Sequence, residues 1–153
     1  MIYCIDTSSL IAGWNERYPQ EVFPGLWKNI GDLIEVEQLI APEVVKFELE
    51  KKEDSINNWL DQNKKLFQPL DDVVQSIASN IIADNPTLID INRTSDQADP
   101  FVIALALERN GVVVTEENRI NSSKRTKIPN VCDAYKIRCI DLLNMIRELK
   151  WKF

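Results

Sequence analysis

Apolar positions along this chain follow two spacings. Short, mostly apolar runs, Ile2-Tyr3-Cys4-Ile5, Leu39-Ile40-Ala41, Val112-Val113-Val114 and Ile137-Arg138-Cys139-Ile140, read as buried strands. Between them the apolar residues return every three or four positions, the helical period. The first run ends at Asp6-Thr7-Ser8-Ser9, which offers several N-capping side chains. A helix follows through Leu10, Ile11 and Trp14 to about Tyr18, and Pro19 ends it. Leu26, Trp27, Ile30, Leu33 and Ile34 mark a second helix, from Phe23 to about Glu35. Pro42 is expected in the first turn of a third, where its missing N–H costs little. Residues 42–84 read as mostly helical in three pieces, broken near Lys52–Asp54 and at Pro69. A loop is expected over 85–95, then a helix over Asp96–Arg109 closed by Asn110-Gly111. A long polar connection spans Glu116 to Asn130, and Asp141 caps a last helix that runs to Leu149.

Strands alternating with helices predict an α/β fold with a largely parallel sheet. No internal repeat, low-complexity segment or linker interrupts the 153 residues, so one domain over 1–153 is expected. Apolar residues at 44% and charged residues at 27% exclude a wholly disordered chain. No apolar run approaches the roughly 20 residues that cross a bilayer. The N-terminal run meets Asp6 without a basic lead-in and does not read as a signal peptide. Cys4, Cys132 and Cys139 form no CxxC, and Cys4 and Cys139 lie in apolar runs. Buried, reduced thiols in a cytoplasmic protein are the reading.

The chain has no histidine. That removes Ser-His-Asp and Cys-His nucleophiles, histidine acid–base pairs and histidine-based zinc sites. Glycine is scarce, and neither a Walker A loop nor a GxGxxG occurs. Catalysis near neutral pH is left to carboxylates, lysines, a metal or a cofactor. The net charge of −6 looks wrong for a nucleic-acid binder, but the distribution is uneven. Residues 1–110 hold 9 Lys+Arg against 19 Asp+Glu, whereas residues 111–153 hold 9 against 5. The basic end contains Arg119, Lys124, Arg125 and Lys127, which either steer a polyanion or form a solvated face.

Four acids stand in unusual places. Asp6 closes the first strand, and Glu117 follows Val112-Val113-Val114-Thr115 by one residue; open parallel sheets build their sites at such strand ends. Glu48 shares a helix face with Val44 and Val45, and Asp99 heads the stripe of Val102, Ile103 and Ala106. Acids on apolar faces are rare unless paired or bound to a cation. Each also has a plain reading: Asp6 and Asp99 as helix caps, Glu48 as leaning out to solvent or pairing with Lys51 or Lys52, and Glu117 as a loop acid. If they converge, their mutual repulsion calls for a divalent cation, and oxygen-only ligands select Mg²⁺ or Mn²⁺. Phosphodiester hydrolysis is a natural chemistry for such a centre.

The ordered set of motifs resembles the PIN-domain family. The matching pieces are Tyr3-Cys4-Ile5-Asp6-Thr7-Ser8-Ser9-Leu10, Glu48-Leu49 after Pro42, Ala98-Asp99-Pro100-Phe101-Val102-Ile103-Ala104-Leu105-Ala106, and Val113-Val114-Thr115-Glu116-Glu117. Lys127-Ile128-Pro129-Asn130-Val131-Cys132 and Ile137-Arg138-Cys139-Ile140 are similar to one bacterial and archaeal subgroup. The resemblance implies a three-layer α/β/α sandwich and Mg²⁺- or Mn²⁺-dependent endoribonuclease activity. It also implies a toxin of a toxin–antitoxin pair, bound by a cognate antitoxin protein and often a homodimer. Asp6, Glu48 and Asp99 fall on the family's acidic positions. The family usually places Asp two residues after the strand-end Thr or Ser; here that position is Glu117, with Glu116 beside it, and either can be the fourth acid. Thr115 and Ser8 would orient a carboxylate or water. Asp96 contributes to the site or caps its helix, and Asp133 is a further candidate.

Two other readings compete. A non-catalytic module on the same fold would hold RNA or a protein with its acids unused. A phosphotransfer or receiver domain wants paired acids near the first strand and a lysine after the last. Asp6-Thr7-Ser8 gives no such pair and Asp141 follows Ile140, so this reading is set aside.

Overall fold

The apolar N-terminal run forms β1 (Tyr3–Ile5), the central strand of a five-stranded sheet in the computed structural model. The structure describes residues 1–52, 55–90, 97–119 and 126–153. On one side β1 pairs with β2 (Leu39–Pro42), and β2 with β3 (Phe67–Gln68). On the other side it pairs with β4 (Val112–Val114), and β4 with β5 (Cys139–Ile140). Every pairing is parallel, and the order is β3-β2-β1-β4-β5. β1, β2 and β4 are buried along their whole length, as a sheet covered on both faces requires.

Eight α-helices flank the sheet among the described residues. α1 (Thr7–Ala12) runs into a π-turn over Gly13–Arg17, closed by the Tyr18 N–H donating to the Gly13 carbonyl at 2.8 Å. Then come α2 (Pro24–Glu35), α3 (Glu43–Lys52), α4 (Ser55–Asp61), α5 (Asp72–Asp84), α6 (Asp99–Arg109), α7 (Ile128–Ala134) and α8 (Leu142–Glu148). The β1-to-β2 and β4-to-β5 crossovers run in opposite directions, so right-handed connections place their helices on opposite faces. α6 packs on β1, β2 and β4, with α5 and α7 beside it. α2 packs on β2 and buries Leu26, Trp27, Ile30 and Ile34. Around it Trp27 meets Trp14 and Trp59 edge-on, with ring centroids 4.9 and 5.1 Å apart. The result is a three-layer α/β/α fold. No described helix is long and apolar enough to cross a membrane.

Several elements depart from the sequence pattern. Pro42 ends β2 instead of opening the next helix, because β3 adds there and pairs Gln68 with it. β3 itself is too short to carry a period, so nothing but the break at Pro69 marked it. α7 occupies ground expected to be polar connection or unassigned: Pro129 sits in its first turn, and Ile128, Val131 and Cys132 are buried. The first and last strands are each shorter than their apolar runs. α6 begins at Asp99; the expected start at Asp96 and the break at 53–54 lie wholly or partly outside the described residues. Asn110, at φ 53, takes the left-handed turn that closes α6. Gly111 serves another purpose: a Cβ there would stand 2.9 Å from the Ile2 carbonyl oxygen.

Candidate metal centre

Strand order reverses at the β1–β4 boundary, and that is where open α/β sheets place their sites. Asp6 leaves the end of β1 with its N–H still bonded to the Val114 carbonyl at 2.8 Å. It occupies the N-cap position of α1 in extended conformation, but its side chain makes no capping bond. The plain reading of Asp6 as a cap therefore fails, and the carboxylate is turned elsewhere. Asp99 begins α6, one residue past the N-cap position, which belongs to Ala98. Glu117 follows the end of β4. Asp6, Asp99 and Glu117 each present a carboxylate oxygen, and the three oxygens lie within 4.8 Å of one another.

Two hydroxyls fix this arrangement. Ser8 Oγ donates to Asp6 Oδ2 at 2.8 Å, and Thr115 Oγ1 donates to the same oxygen at 3.0 Å. Each hydroxyl also accepts a backbone N–H from the loop after β4: Glu116 N–H to Ser8 at 3.1 Å, and Glu117 N–H to Thr115 at 3.2 Å. Ser8 and Thr115, both singled out in the sequence, are thus both bonded to the Asp6 carboxylate.

Asp6 is 3% exposed. Burial pushes its carboxyl up to about 6, the Glu117 charge adds to that, the Ser8 and Thr115 hydrogen bonds pull back, and the Glu48 charge raises it slightly. An ionised Asp6 in this position is short of positive charge.

Glu48 is brought near Asp6 but stands apart from the three. It is 6% exposed, and Thr7 Oγ1 donates to its Oε1 at 2.6 Å. Its burial rules out a Glu48 that leans out to solvent.

The two glutamates differ in what each touches. Glu116 points away from the cluster: it accepts from Ser9 Oγ at 3.1 Å and the Leu142 N–H at 3.0 Å, and pairs with Arg17. It staples α1, β4 and α8 together. Glu117 faces the cluster, with Lys127 Nζ 3.7 Å from its Oε1 and the Ile128 N–H 3.4 Å from its Oε2.

The basic residues divide. Lys127 stands beside the cluster through Glu117. Arg119 is held by both oxygens of Asp133, at 2.7 and 2.8 Å. That bidentate pair also takes Asp133 away from any direct part in the cluster. Asp96, Lys124 and Arg125 lie outside the described residues. Arg17, which lines the cleft beside Thr115, Glu117 and Arg119, was not anticipated from the sequence. Only the π-turn and the Glu116 ion pair bring it there.

The donor set fits a hard divalent cation. It is all oxygen, it carries carboxylates on three separate elements, and one of them is buried against its neighbours' charge. Opposite ligands of a Mg²⁺ octahedron stand roughly 4.2 Å apart. Of three ligands at most one pair can be opposite, and adjacent ligands stand roughly 3.0 Å apart, so oxygens spaced up to 4.8 Å must draw together to share one ion.

The residues of this site fall within one family. The chain belongs to the family described as a domain of unknown function, DUF4411, whose model matches residues 3–153. No curated protein matches the chain. The DUF4411 match takes in the whole sheet and all the cluster acids, so the site lies in the part of the chain by which it joins the family.

Proposed function

We propose that this chain is a Mg²⁺- or Mn²⁺-dependent endoribonuclease of PIN-domain type that hydrolyses RNA phosphodiesters at Asp6, Asp99 and Glu117. The observation that carries the reading is the convergence of these three sequence-distant carboxylates at the switch point of a parallel sheet. A bound cation would lower the pKa of its water and stabilise charge on the phosphoryl oxygens. Asp6, Asp99 and Glu117 would hold it. Ser8 and Thr115 fix the rotamer of Asp6 and keep its Oδ2 occupied. Glu48, buried beside Asp6, adds negative charge to the cluster and is itself held by Thr7. Lys127, which stands beside Glu117, would exchange that partner for a substrate phosphate.

RNA as substrate, the toxin role, a cognate antitoxin and a homodimer rest on the motif resemblance set out above. Cleavage of a fluorescently labelled single-stranded RNA in Mn²⁺ tests the activity. Wild-type protein is expected to cleave, Asp6→Asn to be inactive yet folded, and EDTA to abolish the reaction. Cleavage by Asp6→Asn at the wild-type rate, or equal cleavage in EDTA, overturns the proposal. Growth arrest on expression, relieved by a co-expressed partner, tests the toxin role.

A second reading, a non-catalytic RNA- or protein-binding module, is favoured by one observation: the chain's own Lys127 already faces Glu117. On that reading Mn²⁺ gives no stabilisation, whereas a metal that binds only the folded state must give some.

A further inference from the structure

Away from the carboxylates, two of the chain's cysteines meet. After α7 the chain turns back through Lys136, at φ 58, and the Ile137 N–H donates to the Cys132 carbonyl at 2.8 Å. This return lays Cys139 of β5 beside Cys132 of α7, and the two thiols share a hydrogen bond. The members of the pair differ in access. Cys132 is fully buried. Cys139 is half-buried and lines two hollows. One, of about 280 Å³, also carries Thr115, Glu117 and Arg119; the other, of about 410 Å³, carries Arg119, Asp133 and Arg138.

One sulfur is therefore reachable and the other sealed behind it. We infer that Cys139 and Cys132 form an oxidisable dithiol, in which Cys139 reacts first with a peroxide and Cys132 resolves the product to a disulfide. The surroundings of Cys139 suit the first step, because the thiolate is the nucleophile. The Cys132 S–H donates to its sulfur and the Arg119 guanidinium lies close, and together they hold the Cys139 thiol below its usual range despite burial. Cys132 is pushed the other way, by that same hydrogen bond and by burial.

The chemistry balances. The Cys139 thiolate attacks one peroxide oxygen; an S–O bond forms, the O–O bond breaks, and hydroxide leaves. The product is a sulfenic acid on Cys139. The Cys132 sulfur then attacks that sulfur, the S–S bond forms, the S–O bond breaks, and the hydroxyl leaves with the Cys132 proton as water. The first hydroxide takes up the proton lost when Cys139 ionised. The two sulfurs lose two electrons, and the peroxide is reduced to two waters. The bridge ties α7 to β5, and α7 carries at its start the Ile128 N–H that faces Glu117.

The inference does not depend on the nuclease reading, and its test needs no activity. The full-length chain is treated with hydrogen peroxide and mapped by mass spectrometry. Lys136 and Arg138 separate the two cysteines, so trypsin puts them on different peptides. The expected result is a loss of two hydrogens, a linked Cys132–Cys139 peptide pair, and an unmodified Cys4. Iodoacetamide should label Cys139 at least roughly tenfold faster than Cys132 or Cys4, as a thiolate-prone, accessible sulfur requires. Cys132→Ser should accumulate a sulfenic acid at Cys139 that dimedone traps. Absence of the linked pair in peroxide-treated wild-type protein, or equal labelling of the three cysteines, overturns the inference. Both readouts use the unsubstituted chain, so a variant that fails to fold cannot shield it.

Discussion

Thr115 Oγ1 donates to Asp6 Oδ2 at 3.0 Å, joining the ends of β4 and β1 across 109 positions of chain. The same Thr115 oxygen accepts the Glu117 N–H, so one hydroxyl sets both a buried acid and the backbone of its neighbour. Deleting that hydroxyl while keeping the side chain's shape should therefore disturb two cluster acids together. Thr115→Val is expected to lower RNA cleavage about 10- to 100-fold, the usual effect of losing a group that orients a metal ligand. Because the Thr115 bond lowers the Asp6 pKa, its loss should raise that pKa further. Carboxyl titration of Asp6 by NMR checks this, and an unmoved midpoint would refute the orienting role.

Asp6 also predicts a pH dependence for the metal-free protein. Burial, with the Glu117 charge beside it, lifts its carboxyl from 3.8 to about 6 in the fold. The folded state thus holds the proton more tightly, so stability is fully present below the lower value and falls as pH rises through the upper one. The loss is on the order of a few kcal/mol. Urea midpoints at pH 4 and pH 7.5 should differ accordingly in wild type, and much less in Asp6→Asn. At pH 7.5 the variant should be the more stable by about 1–3 kcal/mol, because it removes a buried charge. Identical pH profiles would show that Asp6 is not strained in the way described.

Metal should reverse that cost. Mn²⁺ at a hundredfold its Kd is expected to stabilise the wild type by about 2.7 kcal/mol. That is a Tm rise of roughly 5–11 °C for a chain this size. Asp6→Asn, Asp99→Asn and Glu117→Gln should each lose most of the rise. Glu116→Gln should keep it, while losing about 1–3 kcal/mol of intrinsic stability with the Arg17 pair and its buried bonds. Calorimetry with and without Mn²⁺ separates these outcomes. A Glu116→Gln protein blind to Mn²⁺ beside a responsive Glu117→Gln protein would exchange the two assignments.

Glu48 calls for two substitutions. Glu48→Ala strands the buried Thr7 hydroxyl and should cost about 1–3 kcal/mol. Glu48→Gln keeps an acceptor for Thr7 and should fold nearly as well as wild type. On the nuclease reading the Gln variant loses cleavage while its Mn²⁺ affinity falls less than that of Glu117→Gln. Equal losses of affinity would make Glu48 a direct ligand.

The sequence by itself determined the layout. Fully apolar three- and four-residue runs read as strands covered on both faces, and the helical spacing between them predicts parallel crossovers, as β1, β2 and β4 bear out. It also marked Asp6, Glu48 and Asp99, since an acid on an apolar face or at a strand end is costly without a reason. The rest was decided by contacts between distant segments. β3 and α7 are too short for a periodic signal and exist because β2 and α6 offer them a surface. Spacing from Thr115 favours Glu117 over Glu116, but nothing local says where either side chain points. Their roles diverge because successive residues leaving β4 point to opposite sides, one toward Ser9 and Leu142, the other toward Asp6 and Asp99. Arg17 and the Cys132–Cys139 pair were hidden for the same reason: a π-turn and a chain reversal set which side chains meet, and neither leaves a periodic trace in the sequence.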